Sequence, residues 1–209
     1  LLIGFAISLP LGMFAARRQN KLSDITLSTT TQIGMAVPSF WLGMMLILYI
    51  GMNFDFFKIS GYIPWSQNIK GALSTLLLPA LTIAIPQIAV NFRYVRSSIL
   101  EQVRLDYVRT IRSKGMSEGN VMYKHVLKNS MIPILTVFGL ITAEVVAGTI
   151  IVEQVFSLPG IGQLLITAIN NRDFPLVQGI VMYITVAVVG INFIIDILYT
   201  VIDPRIRLR

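Results

Sequence analysis

DYVRTIRSKGMSEGNVMYKHVLKNSMIP, residues Asp106–Pro133, is a polar island in a chain that is otherwise almost unbroken hydrocarbon. Asp106–Arg112 and Ser117–Lys128 both tolerate helix, and Gly115 between them can take the left-handed conformation that ends one. Ser117 is placed to cap the helix that follows. The island reads as two short helices forming an elbow around Gly115, with Val108, Ile111, Met116, Val121, Met122 and Val126 offering apolar contacts. Read on physical grounds alone, it fits equally an amphipathic pair lying on anionic lipid, which its basic residues favour.

Outward from the island the composition decides the class. Of 209 residues 55% are hydrophobic and 13% charged, and the mean hydropathy is +0.74, too apolar for an ordinary soluble domain. An all-α integral membrane fold is expected. A spanning helix needs about 20 mostly apolar residues, and Ile33–Met52, Leu73–Asn91, Ile132–Val152 and Leu176–Ile202 meet that need. LLIGFAISLPLGMFAA, Leu1–Ala16, reads as the trimmed end of a fifth span in a numbering that starts inside a longer protein. It has neither the basic start nor the cleavage site of a signal peptide. Pro10, Pro38, Pro79 and Pro86 fall within these runs, where each removes a backbone donor and kinks a helix. Gly34, Gly43, Gly139, Gly148 and Gly190 are candidates for close helix approach. The expected architecture is a kinked polytopic bundle of five spans that suits a rocking motion.

Fourteen of the 17 Lys and Arg lie in alternate loops: Arg17, Arg18 and Lys21, then eight between Arg93 and Lys128, then Arg205, Arg207 and Arg209. The intervening loops hold only Lys58 and Lys70, or Arg172. The positive-inside rule then places the island and the C-terminus in the cytoplasm and Leu1 toward the outside. Such alternation is not expected of a nucleic-acid binder, so the net charge of +7 reads as topology.

The outer loop Asn53–Gly71 carries Tyr62 and Trp65, which suit the headgroup interface. The second, Glu153–Pro175, has a Pro159-Gly160 turn and then a short apolar helix over Ile161–Ile169, lying on the outer face or partly re-entering. The chain has no cysteine, which excludes disulfides and thiolate metal sites, and a lone His125 makes neither a metal site nor a catalytic triad. Catalysis by this chain is therefore not expected, and His125 reads as a structural cap or bridge within the elbow.

Glu144 lies midway along Ile132–Val152, where an ionised carboxylate costs a few kcal/mol on insertion scales. It reads as a translocation-pathway residue sensing a cationic solute, or as a protonated carboxyl bonded to a neighbouring helix. Asn192, Asp196, Tyr199 and Asp203 recur at helical spacing and form a polar stripe suited to interhelical hydrogen bonds.

The island's Gly115, His125, Leu127 and Pro133 stand at a spacing that resembles the cytoplasmic EAA-type loop of permease subunits in binding-protein-dependent ABC importers. Its wording, DYVRTIRSKG with HVLKNSMIPILT behind it, is similar to the oligopeptide/dipeptide and nickel permease branch. VPSFWLG (37–43), LLLPALT (76–82), VEQVFSLPGIG (152–162), RDFPLVQG (172–179) and DPRIR (203–207) extend the resemblance in order along nearly the whole chain. The positions that give the EAA motif its name are Arg109, Thr110 and Ile111 here.

The resemblance implies an ABC importer permease fold with a cytoplasmic coupling helix over 106–130, preceded in the family by a further span and an outer segment. It implies a second, related permease chain, two cytoplasmic ATPase subunits and an extracytoplasmic solute-binding protein as partners, in a bacterial or archaeal cell membrane. ATP is bound by the ATPase partners; this chain needs no cofactor and has no GxxxxGK[ST] phosphate loop. The ATPase-docking residues it implies are Arg109, Arg112, Gly115, Met116, Ser117, Glu118 and Asn120. Peptides are the first cargo, with nickel or a metal chelate as the alternative. A secondary transporter or channel is the reading from another class, since it too uses kinked helices and buried carboxylates, yet it gives the elbow no purpose.

Overall fold

A computed structural model describes residues 1–147 and 149–202 of the chain. Gly148, Asp203 and the terminal arginines lie outside the described residues. Among those described, every regular element is helical: α1 (Leu2–Arg17), α2 (Leu22–Ala36), α3 (Ser39–Leu46), α4 (Ile69–Val103), α5 (Asp106–Ser113), α6 (Glu118–Asn120), α7 (Leu127–Ala147), α8 (Ile150–Val155), α9 (Ile161–Asn170) and α10 (Phe174–Ile202). Two π-helical turns, Ile47–Gly51 and Val121–Val126, follow α3 and precede α7.

Among the described residues, three helices are long and apolar enough to cross a membrane: α4, α10, and the continuous rod Glu118–Val146 that runs from α6 through the π turn into α7. The number rises to four if α2 and α3 count as one broken span. The five expected spans are thus approximate. The run Ile33–Met52 is not a single helix, because α2 stops at Ala36 and α3 starts at Ser39, with Pro38 in the N-cap position. A proline holds the residue before it out of the α region, which fixes the break there. By contrast Pro10, Pro79 and Pro86 sit inside continuous helices, as does Pro133 in α7.

Helix α2 was not expected. Its sequence, LSDITLSTTTQIGMA, is rich in hydroxyl residues that compete with helix. Here those hydroxyls bond back to carbonyls of the helix itself: Thr26 to Ser23, Thr30 to Thr26 at 2.8 Å, Thr31 to Leu27 at 2.9 Å.

The chain divides into two compact units, residues 1–35, 87–142 and 190–209, and residues 36–86 and 143–189. The first unit has a core of Met13 and Ala16 from α1, Val95 and Ile99 from α4, Val108 from α5, and Val121 and Val126 from the π turn. Within it Phe5 packs on Phe138 with ring centroids 4.6 Å apart, and Tyr199 of α10 donates to Thr136 of α7 at 2.8 Å. That last bond is the interhelical use expected of the polar stripe; Asn192 and Asp196 are exposed. The second unit centres on Leu78 of α4 with Val152 and Phe156 of α8. Its loop after the first π turn is pinned by the Lys58 backbone amide donating to the Ser74 carbonyl at 3.2 Å, while Tyr62 and Trp65 remain exposed.

Of the glycines expected at close contacts, Gly43 lies against Thr82 and Phe156 and Gly139 against Ile195, each leaving no room for a Cβ without adjustment. Gly34 has ordinary contact distance to Ala89, and Gly190 faces open space.

Candidate functional site

The elbow is built from both limbs inward. Helix α5 is short but strongly two-faced: Val108 is fully buried with Tyr107 and Ile111 beside it, while Arg109, Thr110, Arg112 and Ser113 point outward. It ends because Gly115 adopts φ +78°, and the Gly115 amide donates to the Arg112 carbonyl at 3.0 Å. A residue with a Cβ pays about 1–2 kcal/mol in that conformation. No heavy atom lies within 4 Å of where the Cβ would stand, so the constraint is on the backbone and not on space.

Ser117 does occupy the N-cap position of α6, with extended backbone, yet its side chain makes no capping bond. The junction is held instead by a side-chain pair. Arg112 reaches across the turn to Glu118 with Nε–Oε2 3.1 Å and Nη2–Oε1 2.6 Å, a bidentate fork that ties the end of α5 to the start of α6. This bonding to Arg112 holds the Glu118 carboxyl below its ordinary range, burial opposing it slightly, and raises Arg112 above its own. Arg112 lies on α5 and Glu118 at the polar start of the rod, both ahead of the apolar stretch that begins after Lys128.

The seven expected docking residues, Arg109, Arg112, Gly115, Met116, Ser117, Glu118 and Asn120, are all exposed on the tip and its two limbs. With Arg112 and Glu118 engaged in each other, the tip presents the guanidinium of Arg109, the Met116 side chain, and the polar groups of Ser117 and Asn120. Arg109 stands only 3.8 Å from Asp106, in a pair that is almost wholly solvated and worth little. The second limb is not the short helix expected: it is the first part of the rod that continues as α7. His125 lies on the π turn, where its Nε2 is enclosed and makes no hydrogen bond with a described residue, so the expected bridge is not made by that atom.

Glu144 sits near the end of α7 and is exposed on this chain, in no ion pair with a described residue. The alternative of a carboxyl bonded to a neighbouring helix finds no partner among the described residues.

Two arrangements were not anticipated. Asp24 of α2 is 2% exposed and accepts from Arg96 of α4 through Nε at 2.6 Å and Nη2 at 2.7 Å, with the Asn20 amide adding a third bond at 3.0 Å. Glu153 of α8 lies over the start of α9, where its carboxylate accepts from the Gln163 amide at 2.8 Å. It caps that helix from ten residues upstream, and a Cβ at Gly160 would overlap the carboxylate. The legible signal was the pair of glycines flanking Ile161, for which the backbone alone gives no cause.

Long apolar helices with an exposed polar elbow between two of them define a polytopic membrane transport subunit. The chain belongs to the family of binding-protein-dependent transport system inner membrane components, whose profile matches residues 8–208. It is 39% identical over 99% of its length to a Brucella abortus protein named, provisionally, a peptide transport system permease, covering 67% of that protein. It is 37% identical to the oligopeptide transport system permease protein AppB of Bacillus subtilis, over 99% of this chain and 66% of that one. The dipeptide transport system permease protein DppB of Lactococcus lactis is 36% identical, over 100% of this chain and 66% of its own. The chain thus spans about two thirds of the length of these relatives.

Proposed function

We propose that this chain is the transmembrane permease subunit of an ATP-driven importer of di- or oligopeptides, and that its elbow docks on a cytoplasmic ATPase subunit. The observation that carries this reading is the elbow itself: an exposed tip, locked by the Arg112–Glu118 fork, on a helix that runs without interruption into an apolar span. Peptide cargo rests on the names of the relatives, which are peptide, oligopeptide and dipeptide permeases.

In this reading a second permease chain completes the pathway, a solute-binding protein delivers cargo outside, and two ATPase subunits bind ATP and draw the elbows together. The chain itself performs no catalysis. Positive charge on alternate loops supports a cytoplasmic elbow and C-terminus. Because these 209 residues hold no cysteine, Ser117→Cys in a full-length protein with any cysteine outside them replaced by serine reports the side directly. A membrane-impermeant maleimide should label inverted vesicles and spare intact cells; the reverse pattern inverts the topology.

Glu144 is proposed to line the pathway and to attract cationic cargo. Glu144→Gln should then slow uptake of lysine-containing peptides more than neutral ones, and equal rates for both would remove the assignment. The whole reading is tested by reconstituting the full-length permease with its ATPase and binding-protein partners in liposomes and measuring peptide uptake. Uptake should require ATP inside, and ATP-independent uptake by the permease alone would reject an importer subunit.

A further inference from the structure

A groove of about 510 Å³ opens along α1 on the first unit, and its chemistry changes from end to end. Leu9, Met13 and Phe14 of α1, with Leu127 of α7, form an apolar wall, whereas Arg17, Arg18 and Lys21 close the other end. From Leu9 to Arg17 the wall is roughly 12 Å long, most of the ~15 Å depth of hydrocarbon in one leaflet.

The three cations are exposed, and none has an ion-pair partner among the described residues. No carboxylate lines the groove. Glu118, whose carboxyl is lowered chiefly by Arg112 and only weakly by Arg17, is already held by Arg112. Both guanidinium groups lie over aromatic rings, Arg17 5.8 Å from the Tyr123 ring centroid and Arg18 4.6 Å from that of Phe14. A cation–π contact of this kind uses none of the guanidinium N–H donors that an anion would need. An apolar wall ending in three cations without ion-pair partners among the described residues matches the polarity of one kind of molecule.

We propose that this groove holds one anionic phospholipid, its phosphate on Arg17, Arg18 and Lys21 and the upper part of an acyl chain along α1. A free phosphate would use only the basic end, and a zwitterionic lipid would bring a second cation to it. The site does not depend on the cargo or on the docking role of the elbow.

The test uses the full-length permease in its assembled complex, purified in mild detergent and analysed by native mass spectrometry after titration with phosphatidylglycerol or phosphatidylcholine of identical chains. One phosphatidylglycerol per permease should persist at detergent concentrations that strip phosphatidylcholine, and glycerol phosphate should not compete. The triple variant Arg17→Gln, Arg18→Gln, Lys21→Gln should weaken retention by about tenfold or more. Arg104→Gln, Lys124→Gln, Lys128→Gln removes the same charge outside the groove and should leave retention unchanged. Equal retention of the two lipids, competition by glycerol phosphate, or equal losses in the two triple variants would each overturn the proposal. So would crosslinking that finds another segment of the full-length chain in the groove.

Discussion

Breaking the Asp24–Arg96 pair one side at a time should cost far more than removing it whole. Asp24 is 2% exposed and receives two charge-assisted bonds from one guanidinium at 2.6 and 2.7 Å. At roughly 1.5–3 kcal/mol each, those bonds set a ceiling near 6 kcal/mol. Arg96 keeps 26% of its side chain exposed and Asp24 retains the Asn20 amide, so we expect about 3 kcal/mol for Arg96→Met, at the low end for an orphaned buried charge. Asp24→Leu should cost less, because the freed guanidinium can reach water. The double variant Asp24→Leu, Arg96→Met leaves no orphaned charge, frees only the amide of the exposed Asn20, and should lie within about 1 kcal/mol of the wild type. The assay is thermal unfolding of the full-length permease in mild detergent followed by tryptophan fluorescence, run on all four members of the cycle. If the two single losses simply add in the double variant, the pair is not coupled and the reasoning fails.

Gly160→Ala should expel the Glu153 carboxylate from the start of α9 and cost about 1 kcal/mol, the usual worth of a cap. Exchange of the Gln163 amide should speed up correspondingly in Gly160→Ala and in Glu153→Ala, and no further when both are combined. Gly115→Val forces a β-branched residue into φ +78°, so uptake and ATPase co-purification should both fall, while Gly115→Asn, which tolerates that region, should retain most of each. The Glu118 carboxyl has its folded pKa lowered by Arg112, so its contribution is present above the ordinary 4.5 and is lost as pH falls through the folded value. Amide exchange over Gly115–Asn120, corrected for its intrinsic pH dependence, should therefore rise in acid for the wild type and converge on that of Glu118→Gln; a constant gap would contradict it.

How much of this was legible depended on distance along the chain. The apolar helices were readable because lipid demands uninterrupted hydrocarbon, and the elbow because a polar island, a glycine and a flanking serine are local signals. The break at Pro38 was equally local, but the apolar run around it outweighed the proline. Helix α2 was hidden because its Ser and Thr residues signal turns until their hydroxyls are known to bond to the helix's own carbonyls. The Asp24–Arg96 pair joins residues 72 apart, and nothing in either neighbourhood names the other. Ser117 shows the limit in the other direction: its position was right, while its expected bond is not made, and the junction is held by the Arg112–Glu118 fork, which depends on how two helices meet.

The rod that carries α6 into α7 also determines how a signal would travel. A relay of side chains can lose or delay motion at each contact, whereas a single rod moves as one piece. Thr136 lies 18 residues beyond Glu118, roughly 27 Å along the helix, with only the π turn and Pro133 as soft points. At Thr136 the Tyr199 hydroxyl fastens the rod to α10. A push on the tip would therefore reach a second helix through the π turn and Pro133 alone, and restoring regular α-helix at Val121–Val126 would alter the gearing between tip and span without touching any of the proposed docking residues.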